Sequence, residues 1–268
     1  MRFWTSLQEP LSQAALVEND KIIKRIPDNP CGTPVRKVGC VSRYQDKLIV
    51  GRKNSIELWD FAGNELLHII NSPMIYGLHE INQYEDDLII CCTTLDVILR
   101  MDLNGNIKWT WFAHDHGFCP NAKLLDDPNW QTIQLTKSIS PPQSSHINSC
   151  RINGNKVIAS LMKNKKAVEI EIGSQNYKVI LSDLQDGLHS PVIIDNELCY
   201  ATMDEIVLGN HKIKYDYPNK QGYLWVKRIV EHEDKIFFSH ESGVSYVFKK
   251  DKSKVIDITL PRPFGIVF

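Results

Sequence analysis

Short runs of alternating or wholly apolar residues, rich in β-branched and aromatic side chains, fill most of the chain. They are broken at QDK, NGN, ING, IDN and HED by polar turn residues. That pattern predicts short antiparallel strands rather than helices. The strands recur as a unit: KLIVGRKNSIELWDFAGNELLHI (Lys47–Ile69), DLIICCTTLDVILRMDLNGNIKWTW (Asp87–Trp111) and KVIASLMKNKKAVEIEI (Lys156–Ile172) are followed by weaker copies at Glu197–Tyr217 and Lys235–Ile258. Aligned on their second strands, Ile49, Ile89, Ile158, Cys199 and Phe237 fall at steps of 40, 69, 41 and 38 residues. Four strands per unit of roughly forty residues is the spacing of a propeller blade, in which each unit buries its faces against its neighbours. The expectation is an all-β chain: one five-bladed β-propeller of four-stranded antiparallel blades, with residues 1–268 as a single domain. A β-sandwich is the rival, but its strands need not recur at a fixed step.

The long step holds one insertion, at about 113–145, which carries Pro120, Pro128, Pro141 and Pro142. At the ends, ALVENDKIIKRI supplies a candidate strand and Pro27–Pro34 reads as a connector. The segment PRPFGIVF reads as a last strand that closes the ring on a blade built mainly from another part of the chain, removing the exposed edges of a broken ring.

The nine histidines change the picture from architecture to chemistry. His79 in GLHEI, His146 in SHINS and His189 in GLHSP each open the innermost strand of a unit, with His146 about two residues early in register. In a meandering blade the face where that strand starts also carries the connections between blades and the turns between second and third strands. His114 and His116 of the AHDHG loop, and His240 of FFSHESG, belong to that face too. Six of nine histidines on one rim suggest a shared pocket, whereas His68, His211 and His232 scatter.

Neutral imidazole is the common nitrogen donor to metals, and three such donors leave positions open for substrate or water. His79, His146 and His189 are therefore the candidate ligands of one divalent transition metal (iron, manganese, copper or zinc), with Glu80 or Asn148 supporting them from behind. Asn148, His114, His116 and Trp225 are candidate substrate contacts; Trp109, Trp111 and Trp59 follow the strand alternation and read as core. Lys227 and His240 are the candidate catalytic groups, Lys227 stabilising negative charge and His240, beside Glu241, moving a proton. Gly39, Arg36 and Lys37 occupy the matching place in the first copy. Asp60 and Asp102 precede tight turns and read as their stabilisers.

A net charge of −1 and a pI of about 6.7 argue against nucleic acid and against an anionic membrane as partners. The lysines of KNKK and KKDKSK fall in turns. Seven cysteines without a CxxC pair signal neither a zinc ribbon nor a disulfide framework, and Cys91, Cys92, Cys150 and Cys199 lie inside apolar runs. The absence of a secretory apolar stretch and of any run near eighteen apolar residues leads to a cytoplasmic expectation.

The segment Ser144–Ile172 resembles the HxNS-then-strand pattern of arylsulfotransferase-like propellers, and DVILRMDLNGNIKWTWFAHDHGF is similar to propeller blades that lead into a histidine-bearing loop. The resemblance covers about a quarter of the chain. It implies sulfuryl transfer through a channel histidine, carried over to His146 alone. Carotenoid oxygenases and manganese-dependent pectate lyases share a ring of channel histidines at the level of architecture only. The function expected is a small-molecule enzyme whose metal polarises a carbonyl or activates water or dioxygen. The alternative is a metal-free propeller that binds a glycan, a peptide or a protein.

Overall fold

The computed structural model describes residues 1–7, 13–26, 38–52, 54–118, 145–184, 187–203, 205–214, 226–240, 243–260 and 263–268. Strands β1 (Arg2–Leu7), β2 (Gln13–Glu18) and β3 (Lys21–Ile26) lead the chain. Blade 2 follows as β4 (Val38–Tyr44), β5 (Lys47–Arg52), β6 (Ser55–Asp60) and β7 (Leu66–Asn71). Blade 3 is β8 (Leu78–Tyr84), β9 (Asp87–Cys92), β10 (Val97–Met101) and β11 (Ile107–Phe112). Blade 4 comprises β12 (Ile147–Asn153), β13 (Lys156–Leu161), β14 (Lys166–Glu171) and β15 (Tyr177–Leu181). Blade 5 is β16 (His189–Ile194), β17 (Glu197–Ala201), β18 (Glu205–Leu208) and β19 (His211–Lys214). Blade 6 is β20 (Arg228–His232), β21 (Lys235–His240), β22 (Gly243–Phe248) and β23 (Asp251–Thr259), and β24 (Pro263–Val267) ends the chain.

There are six four-stranded antiparallel sheets, not five. The sixth is the first in the chain: β24 pairs with β1, giving the order β24-β1-β2-β3. Its four strands are split between residues 2–26 and 263–267, so no contiguous forty-residue unit advertises it. The closing role read for PRPFGIVF is what the pairing shows, with Ile266 opposite Thr5 and the Thr5 hydroxyl donating to the Gly265 carbonyl at 2.5 Å. The connector read at Pro27–Pro34 lies outside the described residues, as do residues 119–144 of the insertion.

Each blade is covered on both faces by its neighbours, so second strands are apolar without alternation: every residue of β9, Asp87 to Cys92, is buried. Outer strands are wet; Tyr177, Lys178 and Val179 of β15 are exposed. The core is a series of seams. Trp4, Val41, Leu48 and Trp59 join blades 1 and 2, Trp109 and Trp111 pack with Val157 and Ile170 between blades 3 and 4, and Phe3, Phe237 and Ile266 join blades 6 and 1. The tryptophans thus serve as core, with the Trp4 indole also donating to the Phe61 carbonyl at 2.9 Å.

Asp60 and Asp102 hold their turns as their sequence context implies. Asp60 Oδ1 accepts the amides of Asn64 and Glu65, both at 2.6 Å, and Asp102 Oδ1 those of Asn104 and Asn106, both at 2.9 Å. Cys40, Cys91, Cys92, Cys150 and Cys199 are buried free thiols. Among the described residues no helix is long and apolar enough to cross a membrane.

Candidate functional site at the channel mouth

Register irregularities gather at one end of the innermost strands. In blade 2 the pairing steps from Val38 to Cys40 and leaves Gly39 extra; in blade 3 it steps from Leu78 to Glu80 and leaves His79; in blade 4 from Ile147 to Ser149, leaving Asn148. Blade 5 has its irregularity just after His189, and blade 1 has one at Phe264. A bulge re-aims the extra residue and bends the strand. Here it does so blade after blade, which is why the residues at this level are the chemically distinctive ones. In blade 6 Lys227 stands immediately before β20, its amide donating to the Ser239 carbonyl at 2.8 Å. Pairing with the second strand makes Asn148, and not His146, the counterpart of His79 in blade 4. His146 lies just ahead, in the left-handed region at φ 53°, and Ser190, next to His189, is at φ 47°. Such backbone is costly for a residue with a Cβ and concentrates at functional places.

The side chains converge. The His79 and His146 rings meet edge to face with centroids 5.5 Å apart. His79 Nδ1 lies 3.1 Å from the Gly77 carbonyl oxygen. A carbonyl only accepts, so Nδ1 carries the proton and Nε2 keeps its lone pair. The Asn148 amide nitrogen donates to the Leu188 carbonyl at 3.3 Å and lies 3.0 Å from His189 Nδ1. The Asn148 carbonyl oxygen accepts from the Ser160 hydroxyl, which itself sits 2.7 Å from Ser149 Oγ.

The imidazoles are held neutral. Burial, aided by the Lys227 charge, takes His79 to about 4 against the pull of Gly77 and Glu80. Burial takes His146 to about 3, with His79, Lys163 and Lys227 adding to it. His189 is driven well below the usual range by burial, then by Lys227 and the two other histidines. One ammonium therefore acts on all three rings. These neutral bases beside a fixed cation can accept protons and stabilise negative charge.

Directly beneath lies a layer of ionic side chains. Glu80, next along β8 from His79, meets Arg151 Nε at 2.8 Å and Arg228 Nη2 at 3.6 Å, and accepts the Cys150 amide at 2.9 Å. Arg151 Nη2 donates to the Ile229 carbonyl at 2.6 Å, and Arg228 Nη1 to the Val41 carbonyl at 3.2 Å. All three are less than a tenth exposed. Arg151 thus reaches from blade 4 past blade 5 to blade 6, and Arg228 from blade 6 past blade 1 to blades 2 and 3. Their guanidinium groups bridge the channel. Sequence reading placed Glu80 behind a metal and overlooked both arginines. The available signal was a charge set within the apolar inner strands of SCRIN and VKRIV.

Other candidates fall elsewhere. His116 stacks on Trp111 with centroids 4.7 Å apart, contacts Tyr177 and reaches Gln175 Oε1 at 3.2 Å, which puts it against the outermost strands β11 and β15. His114 pairs with Asp115 at 2.9 Å and packs on Phe112. His240 is buried, 2.8 Å from the Ser245 hydroxyl, which donates to Asp257. Burial lowers His240 to about 4 against Asp257, whereas Lys227 is the charge felt by the channel histidines. Trp225, Glu241, Arg36 and Lys37 lie outside the described residues. Among the described residues no group of three or more His, Cys, Asp and Glu side chains is placed to hold a metal ion. The three-nitrogen donor set expected for a divalent metal is not assembled there.

No protein-family model matches the sequence. A stretch of 94 residues is 38% identical to part of "Probable basic-leucine zipper transcription factor O" from Dictyostelium discoideum, covering 35% of this chain. The chain spans 13% of the length of that curated relative. Solved structures match far more of it. A streptogramin B lyase superposes with a TM-score of 0.61 at 13% identity, over 98% of this chain and 82% of that one. A protein of unknown function from Bacteroides caccae gives 0.64 at 11%, over 99% and 97%. A catalytically inactive histidine-to-alanine variant of virginiamycin B lyase from Staphylococcus aureus, solved with quinupristin, gives 0.58 at 10%, over 92% and 77%. Identities this low speak to fold alone, and the fold they support is the β-propeller.

Proposed function

We propose that the channel mouth is the active site of a small-molecule enzyme that moves a proton through a neutral imidazole. The observation that carries this is the tautomer of His79, with Nδ1–H donated to Gly77 and the ring's basic lone pair on Nε2. His79 abstracts a proton, Lys227 stabilises the negative charge that develops, and the His79 imidazolium so formed returns that proton to the leaving atom, with His189 and Asn148 lining the site. The loss of activity in the histidine variant of virginiamycin B lyase favours a lyase-type elimination among the reactions that such a site supports. No step depends on a metal. A divalent ion would draw fewer than three ligands from the described residues, with water or substrate completing its sphere.

The test is turnover of quinupristin and of a panel of small esters and lactones, followed by mass spectrometry. Conversion that survives chelation and falls by about a thousandfold in His79→Gln supports the reading, since general-base catalysis is worth roughly 10²–10⁴-fold. Conversion untouched by His79→Gln overturns it. Near-stoichiometric metal that is needed for turnover transfers the chemistry to a metal. Ligand binding without turnover makes the protein a binding propeller.

A further inference from the structure

The ionic layer beneath the histidines is unbalanced. Among the described residues two guanidinium groups, Arg151 and Arg228, face one carboxylate, Glu80, and all three residues are less than a tenth exposed. Buried charges are ordinarily matched, because an unmatched one forfeits its hydration without return. Among the described residues Arg228 Nε is buried without a hydrogen-bond partner, as are Arg151 Nε and Glu80 Oε1, which meet only as an ion pair. Its approach to Glu80 is long at 3.6 Å, so the carboxylate is committed chiefly to Arg151 and the Cys150 amide. The neighbouring residue on the rim side is Lys227, whose charge reaches His79, His146 and His189. Glu80 follows His79 by one residue, a rise of about 3.3 Å along a strand, so the carboxylate that both guanidinium groups approach stands one position below the histidine.

We infer that this floor is an anion subsite, in which Arg228 and Lys227 hold the carboxylate or phosphate group of the small molecule that enters between His79 and His189. The inference rests on the pocket proposed above and names its ligand class. Guanidinium suits planar or tetrahedral oxyanions because it offers several donors in a rigid fork, and ammonium adds a point charge. An oxyanion supplies what the layer lacks: an acceptor for Arg228 Nε and one negative charge. Held there, it directs the rest of the molecule outward past the basic Nε2 of His79.

The experiment titrates the full chain with inorganic phosphate and, separately, with acetate, following the histidine ring resonances by NMR and the heat by calorimetry. Saturable binding with shifts confined to His79, His146 and His189 is expected. Affinity should fall about tenfold or more in Arg228→Gln and in Lys227→Met, the loss of one charged hydrogen bond, and should be largely kept in Arg228→Lys. Phosphate without acetate binding assigns a phosphorylated ligand; the reverse assigns a carboxylic acid. Absence of saturable binding by either anion to the folded protein overturns the inference, and so does binding that Lys227→Met leaves intact. Lys227→Met also stands in should Arg228→Gln fail to fold. His79→Gln separates the two readings: anion affinity retained with turnover lost upholds both, whereas turnover by the unaltered protein without anion affinity removes the subsite alone.

Discussion

Asn148 in blade 4 holds His189 in blade 5: its amide nitrogen lies 3.0 Å from Nδ1 and 3.3 Å from the Leu188 carbonyl oxygen. Its own carbonyl oxygen is occupied by Ser160, so the amide is held at both ends, with its nitrogen against both ring nitrogens, 3.0 Å from Nδ1 and 3.2 Å from Nε2. Replacing Asn148 by Leu removes the acceptor of the Ser160 hydroxyl and the side-chain donor to the Leu188 carbonyl, both buried. The expected loss is about 1–3 kcal/mol in denaturant unfolding, with displaced His189 ring resonances.

Among the described residues Glu80 is the one carboxylate that meets both Arg151 and Arg228. Glu80→Gln strands two buried cations, at an expected cost of about 3–5 kcal/mol in chemical denaturation. Combining it with Arg151→Met should recover part of that loss. A double mutant as unstable as the sum of the singles would show that the two side chains are uncoupled.

The channel histidines set an acid limit. Their folded pKa values, about 4 for His79 and about 3 for His146, lie below the ordinary value near 6.5. The unfolded chain therefore binds more protons between these limits, and stability present above pH 6.5 drains away as pH falls toward 4. The thermal midpoint should fall through that window. Lys227→Met should narrow it, because removing the ammonium lets all three pKa values rise, which an NMR titration would read directly.

Ring closure depends on a few large contacts at the seam of blade 1. Trp4 is fully buried against blade 2 and its indole donates to Phe61. Trp4→Ala should cost about 3–5 kcal/mol and lower the thermal midpoint without altering the pocket resonances. Equal displacement of the His79 and His189 signals would mean that the seam and the pocket are coupled.

Much of this was legible along the chain. The repeat at Ile49, Ile89, Ile158, Cys199 and Phe237, the closing strand, the turn aspartates and the core tryptophans all follow from local pattern, because strand period and turn chemistry are local properties. The blade count was not, since blade 1 is assembled from both ends of the chain and leaves no internal period. Nor was the true partner of His79 in blade 4: chain spacing nominates His146, whereas the bulge selects Asn148. His114 and His116 share a rim with the channel in strand order, yet their rings are taken up by the aromatic cluster around Trp111 and by Phe112.

The sequence by itself determined the all-β blades, their turns and the chemical kinds of side chain that open the inner strands. Only the tertiary structure decided that there are six blades, that the His79 and His146 rings meet while Asn148 lies against His189, and that Arg151 and Arg228 converge on Glu80 from different blades. The reason is physical. Strands pair and turn according to their neighbours in the chain, but a channel is built by residues brought together from six blades, and their charges act across space.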